Sequence, residues 1–155
     1  MSSWKILRSV IALSLGGWVM LTAAVAIGAP PAVDPCTLLT KAEVEQIVGK
    51  VNREPKSETE GDARWCQYPF ANDKDVLEVW VFPADGIERA RRSAKNSTAL
   101  KGIGQEAFFV CKLHGIDYLD LFMKKANITV KISMKETPGD EDKVKALAHK
   151  ALARF

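Results

Sequence analysis

Cys111-x-x-His114 is the pair in this chain whose residue types and spacing come closest to a reactive centre. A soft thiolate and an imidazole at that separation could share a copper or zinc ion. Two ligands do not complete a tetrahedral site, and the other histidine, His149, falls outside the apolar stripe of a C-terminal helix. As a nucleophilic dyad the pair would need a third group to orient it, for which Asp117 is nearest. A free catalytic thiol is also prone to oxidation. A metal-binding protein or enzyme built on Cys111 and His114 is therefore the alternative reading. The main one is a strand-end cysteine beside a turn histidine.

The other constellations read as structure. Asp117 and Asp120 are spaced to reach opposite faces of a strand, so they cannot easily share a proton. Glu141 and Asp142 open a helix, where acids complement the dipole. Gly102-Ile103-Gly104 lacks the third glycine of a dinucleotide loop and reads as a turn. There is no Gly-x-Ser-x-Gly elbow. No catalytic residue, metal or cofactor is assigned. Two surface features remain. Arg89, Arg91, Arg92 and Lys95 form a basic run on a helix, suited to anionic lipid or an acidic partner, or simply solvated. Trp80 and Phe82 take the strand face opposite Leu77, Val79 and Val81, either as core under a helix or as part of a binding surface. Trp80, Phe82, Arg89 and Arg92 are the candidate binding residues.

The 155 residues hold 22 Lys+Arg and 19 Asp+Glu, and the net charge of +3 is too weak to indicate nucleic acid. With 26% charged and 47% hydrophobic residues, the chain is neither a disordered tail nor a polytopic membrane protein. Its start differs from the rest. Lys5 and Arg8 precede an uncharged stretch over 10–27, and small residues Ala24, Ala26, Gly28 and Ala29 lead to Pro30-Pro31. A basic start, an apolar run and an Ala-x-Ala end describe a secretory signal peptide, with cleavage expected after Ala26 or Gly28. Residues 1–29 are read as this leader and 30–155 as one domain, in the periplasm or outside the cell. An uncleaved anchor is the competing reading, and only then is a membrane involved. Removing Lys5 and Arg8 leaves 20 basic against 19 acidic residues.

Export makes a disulfide plausible among Cys36, Cys66 and Cys111. Cys36–Cys66 would tie the N-terminal segment to the sheet; Cys66–Cys111 across neighbouring strands is the second pairing. Cys111, within an apolar strand, packs most simply as a buried thiol. Spacing alone leaves the pairing open.

Helix expected over 41–48 follows from a capping box, Thr40 with Glu43, and from Leu39, Val44, Ala42, Ile47 and Val48. Residues 50–63 are polar, with a short edge strand near Val51 and then loop. Strands over 64–70 and 76–82 make a hairpin around Asn72-Asp73-Lys74-Asp75. A helix over 85–96 has Asp85 as N-cap and a thin stripe of Ile87, Ala90 and Ala94. Strands over 106–112, 116–123 and 127–134 form an antiparallel meander. The last helix has Asp140 as N-cap, then Val144, Leu147, Ala148, Ala151, Leu152 and Phe155 on one stripe. The fold class is α+β, a largely antiparallel sheet flanked by helices.

Asp34-Pro35-Cys36-Thr37-Leu38-Leu39-Thr40, with Glu43-Val44 and Gly49, resembles the opening of a group of small secreted bacterial proteins that share a domain of unknown function. Many of them are lipoproteins. Cys66 with Tyr68, the segment Gly102–Ala107 and the helix ending Ala-Leu-Ala-Arg also fit, so the resemblance covers most of 34–155. It implies an α/β/α sandwich of the PsbP and LpqN-like class, and Cys36 and Cys66 as disulfide partners. This chain departs by lacking a lipid-attachment cysteine and by carrying Cys111. The functional expectation is an exported, non-enzymatic module that binds a protein or a small ligand.

Overall fold

A computed structural model describes residues 31–71, 75–113, 116–135 and 139–155, apart from the side chains of 112–113 and 116–117. The expected leader, residues 72–74 of the hairpin turn, and His114 lie outside the described residues. Seven strands form one sheet in the order β1-β2-β3-β7-β6-β5-β4, every neighbouring pair antiparallel. They are β1 (Lys56–Glu60), β2 (Ala63–Pro69), β3 (Val76–Pro83), β4 (Ser97–Leu100), β5 (Glu106–Leu113), β6 (Ile116–Lys125) and β7 (Ile128–Lys135). Helices α1 (Pro35–Leu38), α2 (Lys41–Ile47) and α4 (Asp140–Leu152) cover one face, and α3 (Gly86–Ser93) lies on the other. The protein is thus an α+β domain with an antiparallel sheet flanked by helices. Among the described residues no helix is long and apolar enough to cross a membrane.

Period-two alternation assigns the faces. Leu77, Val79 and Val81 of β3 are fully buried with Val130 and Ile132 of β7 and Leu121 and Met123 of β6. Val144, Leu147, Ala148 and Ala151 of α4 close over them, while Leu152 and Phe155 are half-buried at the margin. The capping box of α2 is present, Glu43 accepting from the Thr40 N–H at 3.0 Å and Thr40 accepting from the Glu43 N–H at 3.3 Å. Ala42, expected on the apolar face of α2, is exposed.

Helix α1 went unread because four residues carry no period. Asp34 caps it, accepting from the Cys36 N–H at 3.0 Å, and Pro35 supplies a first-turn φ. The carbonyls at its end need partners from elsewhere. Tyr68 donates its O–H to the Leu39 carbonyl at 2.6 Å, and Arg154 donates to the Leu38 carbonyl at 2.9 Å. Burial pushes the Tyr68 phenol well above its ordinary range, so it stays a donor. Tyr68→Phe leaves the buried Leu39 carbonyl without its donor, and chemical denaturation should show a loss of about 1–3 kcal/mol.

Arg154 also donates to Glu43 at 2.9 Å, so the C-terminus is clasped to α2. That guanidinium, helped by the Thr40 hydrogen bonds, holds the Glu43 carboxyl down at about 2, against an ordinary 4.5. A carboxylate with a depressed folded-state pKa contributes stability above its unfolded pKa and loses it as pH falls through the folded one. The Glu43 contribution should be complete above about pH 4.5 and gone near pH 2. Urea midpoints measured from pH 6 to 2 should therefore fall less steeply in Glu43→Gln than in the wild type.

Four local expectations differ from the structure. The polar segment 50–63 contributes a full edge strand, β1, entirely exposed, while Val51 makes only an isolated bridge to Phe70. Helix α3 ends at Ser93 and the chain re-enters the sheet as β4 at the other edge, exposed except for the half-buried Leu100. Asp85 holds the N-cap position of α3, but its side chain does not cap. Thr129 of β7 does so instead, accepting from the Ile87 N–H at 3.1 Å and donating to the Ala84 carbonyl at 3.2 Å. Asp140 is the first residue of α4 rather than its N-cap. Gly139, at φ 88°, precedes it, and the buried Asp140 carboxylate pairs with Lys143 at 2.8 Å.

Cys36 and Cys66 are disulfide-bonded, with Cα atoms 5.1 Å apart. The Cys66–Cys111 alternative falls because β3, β7 and β6 stand between β2 and β5. Cys111 is half-buried against the main core rather than fully buried as expected.

Candidate surface on the outer sheet face

The face opposite α4 is only half covered. Helix α3 lies over its β5–β6–β7 part, where Ile87 packs with Phe108 and Val110, flanked by Ala90, Ala94 and Phe122. The approach is close because residue 86 is glycine: a Cβ there would stand 2.6 Å from the Phe82 Cβ and 3.2 Å from the Thr129 Cβ. Among the described residues the β2–β3 part carries no helix.

The sheet register builds a row of rings there. Trp65 of β2 is the cross-strand partner of Trp80 of β3, and Phe82 follows two residues on. Trp65 and Trp80 stack at 5.5 Å between centroids and 18° between planes, and Trp80 and Phe82 at 5.9 Å and 7°. All three are half-buried. Lys131 of β7 lies across from Trp80, its Nζ 4.6 Å from the ring centroid, and the Trp80 N–H donates to Glu78 at 2.9 Å. The half-buried rings thus present apolar surface rimmed by charge. Beyond Trp65 a groove of about 240 Å³ runs along the β1 edge, lined by Arg53, Lys56, Glu58, Gln67 and Pro69.

Trp80 and Phe82 are brought together as expected; Arg89 and Arg92 are not brought to them as free charges. Arg89 is paired with Asp62 of the β1–β2 turn at 2.8 Å and with Asp85 at 3.4 Å. Arg91 pairs with Glu106 and lies over the Phe108 ring. Arg92 stays exposed. The run thus straps α3 across the sheet. Trp65 was missed as a member, although its alternation with Cys66 and Tyr68, both buried, puts it on the outer face.

Of the Cys111–His114 pair, only Cys111 lies within the described residues, and there no group of three His, Cys, Asp or Glu converges as a metal site would require. His149 is exposed on α4. A larger cleft of about 420 Å³ opens at the end of the sheet between Val48, Phe70, Val76 and Met134. Four of its charged groups are paired with each other, Lys135 with Asp75 at 3.2 Å and Lys143 with Asp140 at 2.8 Å. No family model, no curated protein and no solved structure matches this chain.

Proposed function

We propose that this protein is an exported, non-enzymatic binding module whose recognition surface is the uncovered half of the outer sheet face. The observation that carries the reading is the stacked row Trp65–Trp80–Phe82, half-buried on a face whose other half is under α3. A core layer would be covered throughout, whereas half-buried rings with charges at the rim suit recognition of a protein or small ligand. Export is supported by the leader pattern over 1–29 and by the Cys36–Cys66 disulfide, a bond that persists in oxidising compartments. The helix-flanked antiparallel sheet also suits the PsbP and LpqN-like class that the opening residues suggest.

Immobilised protein, exposed to the native envelope fraction, should retain a partner or ligand that Trp80→Ala with Phe82→Ala does not retain. Equal retention by both forms contradicts the reading. The intact mass of the exported protein should correspond to a start at residue 27 or 29. The metal reading on Cys111 and His114 predicts stoichiometric copper or zinc in the purified protein, and metal analysis separates the two.

A further inference from the structure

Trp65 belongs to two features at once. On its β3 side it stacks on Trp80 at 5.5 Å, and on its β1 side it lines the groove of about 240 Å³. Register sets the floor of that groove: Glu58 of β1 is the cross-strand partner of Trp65, and Lys56 that of Gln67. Opposed residues stand about 5 Å apart and residues two apart along a strand about 7 Å, so a ring, an amide, a carboxylate and an ammonium bound one small patch. Arg53 and Glu54, in the segment before β1, add a side wall, with Glu54 also held by Lys41 at 2.8 Å. Two basic and two acidic groups line the groove, which leaves it without net charge. Lys56 and Glu58 are exposed, and Gln67 is half-buried like Trp65. A charged edge strand by itself protects against pairing with another sheet. A half-buried tryptophan adds nothing to that protection, and it puts apolar surface into an otherwise polar groove.

We propose that this groove binds a neutral sugar ring of a glycan, packed on Trp65. A pyranose presents C–H groups on one face and hydroxyls around its rim. The C–H face suits an aromatic ring, whose π-face is electron-rich. Each rim hydroxyl both donates and accepts; Glu58 accepts, Lys56 and Arg53 donate, and the Gln67 amide does both. A nucleic acid or an acidic polymer finds no excess of positive charge here, and a basic one no excess of negative charge. The groove, at about 240 Å³, lies below the roughly 300 Å³ at which sites for drug-sized ligands begin, and it suits one ring at a time. The inference rests on the outer face being the recognition surface and names the chemistry recognised there.

The test is calorimetric titration of the exported protein with two neutral trisaccharides, chitotriose and maltotriose. At least one should bind, and Trp65→Ala should weaken that binding by about tenfold or more. Glu58→Ala, at an exposed side chain, should weaken it by about threefold to tenfold with Tm unchanged, which separates a lost contact from a damaged fold. No binding of either sugar, full binding by Trp65→Ala, full binding by Glu58→Ala, or tighter binding of a neutral Ser-Gly peptide overturns the proposal. If capture from the envelope still requires Trp80 and Phe82 when neither sugar binds, the recognition surface stands and only its sugar chemistry falls.

Discussion

Replacing Cys36 and Cys66 together by serine should lower unfolding free energy by roughly 3–4 kcal/mol, the chain-entropy value for a closed loop of 30 residues. The effect falls on one end of the molecule. Cys66 is fully buried in β2, next to the Trp65 that opens the aromatic row, and Cys36 holds α1 against that strand. Helix α1 spans only four residues and has no helical stability of its own. Once the bond is lost, α1 is retained by the Tyr68 and Arg154 contacts to its last carbonyls and by burial of Leu38 and Leu39. Equilibrium urea unfolding of the double variant against wild type reads the loss directly. Thiol labelling under denaturing conditions should find one reactive cysteine, Cys111, before reduction and three after it. Three reactive thiols in the exported protein would contradict both the bond and the compartment it implies.

The second large effect is expected at Gly104. It follows β4 in the turn that feeds β5, with φ at 58°, and a Cβ there would stand 2.5 Å from the Lys124 carbonyl oxygen. That carbonyl accepts the Gln105 N–H at 2.8 Å, so the neighbouring backbone cannot retreat without breaking the bond that starts the β5–β6 pairing. Gly104→Ala combines an unfavourable left-handed φ with a backbone overlap, a cost of about 2–4 kcal/mol. The buried Ile103, one residue earlier, would be displaced with it. Thermal unfolding should show a fall of several degrees in Gly104→Ala. Gly102→Ala should show a smaller one, because Gly102 has φ 78° but open space around it.

The readable parts of this fold are those where local chemistry and burial point the same way. Thr40 and Glu43 are three residues apart, and their capping box needs nothing from the rest of the chain. The alternation in β3 and β7 is strong because one face of each lies in the main core. The edge strands were hidden for the converse reason. Lys56–Glu60 is exposed throughout and Ser97–Leu100 packs only Leu100 against the core, so neither shows a period, and their mostly exposed residues suit a sheet edge. Asp85 and Asp140 were misplaced or idle as caps because Thr129 and Gly139, which do those jobs, are identified only by tertiary contact or by backbone conformation.

The candidate surface was legible in outline and not in composition. Alternation alone separated Trp80 and Phe82 from Leu77, Val79 and Val81. Trp65 follows from the β2–β3 hairpin and the alternation along β2, but adding Lys131 required knowing that β7 flanks β3, and β7 is far away in sequence. The same nonlocal order removed the Cys66–Cys111 pairing and gave Arg89 a partner in Asp62.

The central claim is that recognition takes place on the aromatic half of the outer face. Its most direct test is chemical-shift mapping of the labelled protein against the native envelope extract, following the indole N–H signals of Trp65 and Trp80 with the Glu78 and Lys131 amides. The account predicts perturbations centred on those residues, leaving α2 and α4 unmoved. Shifts confined to the α2–α4 face, with both indole signals unchanged, would contradict it.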